Sequence, residues 1–131
     1  MKRIATVPLL AAALLFAAVP TASAHHSTAM FDFTKPVTYK GTITKVDWMN
    51  PHVFIFIDGK KVAAPASAAV EKWELEGPTP NALMVSGRLM PEELKVGDTV
   101  TVNGAPRKDG LPVMRIIVLT LSTGKSVNIS G

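Results

Sequence analysis

Beyond its first 35 residues this chain alternates apolar and polar positions with a period of two, the period of a strand with one buried face. In residues 36–48, Val37, Tyr39, Gly41 and Ile43 share one phase, whereas Val46 and Trp48 share the other. A phase change inside one strand needs an extra residue. A bulge is therefore expected near Thr44 and Lys45, or strong coiling around Gly41. Asn50-Pro51 signals a turn. Residues 52–58 follow with Val53 through Ile57 all apolar, which predicts a central strand covered on both faces and ended by Asp58-Gly59.

Residues 60–70 are Ala-rich and weakly patterned, fitting either a short helix or a loop. Residues 71–76 alternate cleanly, with Trp73 and Leu75 inward and Lys72, Glu74 and Glu76 outward. Thr79-Pro80 reads as a helix start, hydroxyl at the N-cap and proline in the first turn, for a helix over 80–86 that ends near Gly87. One more turn is expected at 91–94, then strands at 99–104 and 112–121 around a hairpin loop at 107–110. A short sixth strand is expected at 126–129. Three strands, a helix, then two strands is the order of the OB-fold. The expected class is mainly β: a small OB-fold-like Greek-key barrel with one short helix between strands three and four. A β-sandwich would leave that helix without a role.

The first 24 residues read as a leader. Lys2 and Arg3 precede an apolar run from Ile4 to Val19, Pro20 breaks it, and Ala22-Ser23-Ala24 has the small-x-small pattern of a signal-peptidase site. The run is shorter than the roughly 20 residues that span a bilayer. The expected organisation is a signal peptide at 1–24, an N-terminal arm at 25–35 and the barrel at 36–131, exported to the periplasm without a membrane anchor and monomeric. Phe31 and Phe33, two apart, are expected to pin the arm to the barrel. The chain has no cysteine, so neither a lipoprotein anchor nor a disulfide framework is available. Without Lys2 and Arg3 the net charge falls from +4 to +2, and nothing in that balance argues for nucleic acid.

Cutting after Ala24 would make His25 the first residue. Its α-amine and ring, with the ring of His26 or of His52 in the Asn-Pro-His turn, form a nitrogen set suited to Cu(II). Asp32 or Asp47 could add an oxygen, and Met30 or Met49 a soft ligand for Cu(I). The metal candidates are thus His25, His26, His52, Asp32 and Met49, with a copper ion as cofactor and metal handling as the role. The competing reading makes His25 and His26 an ordinary chain end and His52 a turn cap that bonds to backbone.

The remaining candidates are weaker. Trp48 and Trp73, with Tyr39, Phe54 and Phe56, could line a groove on the barrel face for a small ligand or an envelope protein, although aromatics at strand spacing are more often core. Glu74 and Glu76 share a face, and paired acids can cleave glycosides, but a solvated strand face is the plainer reading. No nucleophile motif or phosphate loop is present, so the expectation is a binding protein rather than an enzyme.

His-His-Ser at 25–27, Phe31-Asp32, the 41–48 strand, Asn50-Pro51-His52, Trp73-Glu74-Leu75-Glu76, Pro80-Asn81-Ala82-Leu83 and Lys95-Val96-Gly97-Asp98 together resemble a family of small secreted bacterial proteins. That family carries only a domain-of-unknown-function label. The resemblance implies a secreted single domain and no particular activity; it also implies a fuller strand between Asp58 and Trp73 than the bland 62–69 run offers. A looser similarity, through His25 alone, is to periplasmic copper carriers whose mature chain begins with histidine.

Overall fold

In the computed structural model, which describes residues 28–129, the first strand, β1 (Val37–Trp48), changes phase where the pattern changes. Its pairing with β2 (Val53–Lys61) slips between Ile43 and Lys45, leaving Thr44 as the extra residue of a bulge. Tyr39, Gly41 and Ile43 face the core before the slip, and Val46 and Trp48 pack against it afterwards.

The same strand pairs on its other edge with β4 (Thr99–Pro106). β2 pairs with β3 (Glu71–Glu76), and β4 pairs with β5 (Val113–Thr120). A parallel pairing of β3 with β5, from Glu74–Val113 to Glu76–Arg115, closes the ring. β6 (Ser126–Asn128) lies outside that ring along β5. This is a closed five-stranded Greek-key barrel of OB-fold type. Its short helix α1 (Pro80–Val85) falls between β3 and β4 as expected, with Thr79 Oγ1 accepting from the Ala82 N–H at its start. Leu83 from that helix joins Ile55, Ile57, Leu75, Val102, Met114 and Leu119 in the core.

Two expectations need correction, and the choice left open between helix and loop is decided. Asp58-Gly59 does not end β2, which runs on to Lys61. Gly59 is instead opposite Gly41, where the two backbones approach too closely for a side chain. Residues 62–70 form a loop with tight turns, Ala64 N–H to Lys61 O and Ala68 N–H to Pro65 O, and the β2–β3 hairpin forms without further strand. Finally, β2 is not covered equally on both faces: Val53, Ile55 and Ile57 are fully buried, whereas Phe54 and Phe56 are half-buried on the outside.

Candidate functional site

The outer face at one end of β2 and β3 carries a buried polar cluster. The Asn50-Pro51 peptide is cis and leads into His52. The His52 Nδ1–H donates to the Gly77 carbonyl at 3.0 Å, just beyond β3. Its Nε2 lies 3.8 Å from Glu76 Oε1, and its ring meets Phe54 edge-on. Glu76 is only 2 % exposed and accepts from Arg115 Nη1 at 2.7 Å. Since the Nδ1 proton points at Gly77, the 3.4 Å approach of Arg115 Nη1 to that nitrogen is contact between two donors rather than a bond.

Local structure explains the cluster. The parallel β3–β5 register sets Glu76 opposite Arg115, and the antiparallel β2–β3 register sets it opposite Phe54. Glu76 is thus outward in phase, as expected, but it is not solvated: a phenyl ring, an imidazole and a guanidinium cover it. His52 does bond to backbone, though to the β3 exit rather than to its own turn. The pairing of Glu76 with Arg115 is the feature that pattern reading missed.

The arm is fastened. A turn at Thr28–Met30 leads to Phe31, which is 4 % exposed and bridges Arg107. The Asp32 N–H donates to Pro106 O at 2.8 Å, the Lys108 N–H to Met30 O at 2.9 Å, and Lys108 Nζ to Ala29 O at 2.8 Å. Phe33 takes no part: at 44 % exposed it points to solvent, because Asp32 Oδ1 accepts from the Thr34 N–H and hydroxyl and turns the chain there. Arg107 in turn donates to Asp109, which chiefly holds its guanidinium above the ordinary value, with smaller contributions from the charges of Glu76 and Glu74. The arm's anchor therefore shares an electrostatic neighbourhood with the His52 cluster.

The other candidates are spread out. His25 and His26 lie outside the described residues. The Asp32 carboxyl is held below its ordinary range, first by the Thr34 hydroxyl. Met49 is 58 % exposed beyond the end of β1, and Asp47 is engaged by Lys45 at 2.6 Å. Among the described residues no group of three or more His, Cys, Asp or Glu side chains is arranged to hold a metal, and no helix is long and apolar enough to cross a membrane.

Trp48 and Trp73 do not share a site, being opposite Val53 and Ile57, about 13 Å apart along β2. Trp73 packs on Tyr39 with ring centres 4.8 Å apart, and both donate to Glu71 Oε2 at 3.1 Å. Burial, then the bond to Glu71, pushes the Tyr39 phenol above its ordinary 10.0. The folded state therefore keeps this proton to higher pH than the unfolded chain. The linked stability is complete below about pH 10 and is lost as pH rises through the folded-state value. Urea midpoints from about pH 8 to about pH 11 should fall more steeply for the native chain than for Tyr39→Phe; parallel curves would refute the linkage.

Barrel, capped helix and fastened arm define a small OB-fold-like protein with a buried charge cluster on its outer face. The chain belongs to a family of unknown function (DUF6152), which matches residues 13–113. No curated protein and no solved structure matches it.

Proposed function

We propose that the protein is exported to the periplasm, cut behind Ala24, and there binds a copper ion through its new amino terminus for metal handling. The observation that carries this reading is the fastening of the arm at Met30–Asp32 against Pro106–Lys108. From Ala29, whose carbonyl Lys108 holds, four residues reach back to His25, so the terminal amine would lie within about 14 Å of an anchored point. An amine, its own imidazole and one more imidazole so confined lose little freedom on chelation.

His52 suits the role of second ring. A backbone carbonyl on Nδ1 fixes the imidazole and makes Nε2 the coordinating nitrogen, the usual arrangement of a ligand histidine. Arg115 beside it is neutralised by Glu76, so the ring faces an ion pair rather than a bare cation. Cu(II) leads the divalent series for such nitrogen ligands, and an α-amine of near-neutral pKa yields its proton readily to a metal.

Titration of Cu(II) followed by EPR tests the reading, with the chain beginning at His25 compared to one carrying a single extra residue before it. The cut form is expected to bind one ion at least about tenfold more tightly, a difference of about 1.4 kcal/mol. His52→Ala is expected to change the spectrum of the cut form alone. Affinity in both forms no greater than that of an ordinary histidine-rich peptide would sink the proposal. Equal affinity in the two would remove the amine from it.

A further inference from the structure

The barrel repeats one pairing on its outer face and completes it once. Across β2 and β3, Phe54 stands opposite Glu76, and one step along, Phe56 stands opposite Glu74. At the first step β5 contributes Arg115, whose guanidinium binds the carboxylate beside the phenyl ring. At the second step the register gives Val113 instead. Valine is too short to reach across and carries no charge.

A groove of about 230 Å³ opens at that second step, lined among others by Phe56, Trp73, Glu74, Pro112 and Val113. Lys72 also lines it but is committed to both Asp58 oxygens at 3.3 Å. Arg107, which the Glu74 charge reaches, is committed to Asp109. Lys45 sits over Phe56 at 5.0 Å and bonds Asp47. Glu74 is half-buried, and its carboxylate makes no hydrogen bond or ion pair among the described residues. With the neighbouring charges cancelled in pairs, the groove retains one negative charge beside an aromatic ring.

We propose that this groove binds an organic cation, a guanidinium or primary ammonium on a short apolar stem. The stem lies on Phe56, Pro112 and Val113, and the charge meets Glu74 as Arg115 meets Glu76. Charge-assisted hydrogen bonding to Glu74 favours such a group over a neutral one of equal size. The site is separate from the proposed metal site and needs no metal.

The test uses the chain beginning at His25 without added metal, with butylguanidinium as probe and butylurea as its neutral isostere. NMR resonances of the Trp73 indole and Val113 methyls are expected to shift saturably with the cation and not with the urea. Glu74→Gln should weaken binding at least about tenfold. Val113→Arg should abolish it, because the new guanidinium occupies the groove as Arg115 does one step away. An arginine-containing tripeptide binding more tightly than butylguanidinium would assign the cation to a polypeptide; equal binding would assign it to a free small molecule. Equal shifts from butylurea, no saturable shift, or unchanged affinity in Glu74→Gln would each overturn the proposal.

Discussion

Replacing Arg115 with methionine is expected to destabilise the protein by about 3–5 kcal/mol, a large part of the roughly 5–15 kcal/mol available to a domain of this kind. The guanidinium itself is 21 % exposed, but its partner is 2 % exposed. Removing it strands a carboxylate with little access to water. His52 Nε2, at 3.8 Å, is too distant for a hydrogen bond and offsets only part of the loss. Glu76→Leu should cost less, since it leaves the more exposed partner. The double replacement should recover most of the stability, because two apolar groups no longer need each other. Urea unfolding of the four proteins measures the coupling. A loss below about 1 kcal/mol in Arg115→Met would mean that the pair behaves as an exposed one.

The register that makes this pair explains why it was hidden in the sequence. Glu76 and Arg115 are 39 residues apart and meet only because β3 and β5 close the barrel in parallel. Nothing local to Trp73-Glu74-Leu75-Glu76 separates the exposed fate of a strand-face acid from the buried one. A weak signal did exist: Arg115 is the only charge in the apolar run from Leu111 to Leu121, and a lone charge in such a run needs a partner. The Phe31–Arg107 bridge is similarly non-local, whereas the exposure of Phe33 follows from the Asp32–Thr34 turn, a local cue that two-residue spacing overrode.

Features decided by neighbouring residues were legible. The bulge at Thr44 follows from the phase change between Ile43 and Val46, and the helix start follows from Thr79-Pro80. The OB order emerged because each of those elements has its own punctuation. For the candidate sites, sequence reading isolated His52 but not the carbonyl and ion pair that hold it. It named Trp73 as a groove residue without the Val113 that leaves the groove open.

Asp58-Gly59 shows how a correct local rule can miss, and it leads to the second large expected effect. Gly41→Ala should destabilise the barrel by about 3 kcal/mol or more, at the upper end for overpacking. A Cβ on Gly41 would sit 2.7 Å from Asp58 O and 2.8 Å from the Gly59 Cα. Both are backbone atoms, so no rotamer change relieves them. Gly59→Ala meets the same obstacle from the other side, 2.6 Å from Lys40 O. Relief requires β1 and β2 to separate at a point where Gly41 also pairs with Val100 of β4, so the strain reaches two seams of the ring. Since one separation admits both methyl groups, the double variant should cost less than the sum of the singles. Gly87→Ala is the control. Its φ of +65° makes alanine strained, but nothing lies within 4 Å of the added carbon, so about 1 kcal/mol is expected from backbone conformation alone. If unfolding midpoints place Gly41→Ala no lower than Gly87→Ala, close approach is not what reserves position 41 for glycine. If it falls well below, the close approach of the two backbones is what reserves position 41 for glycine.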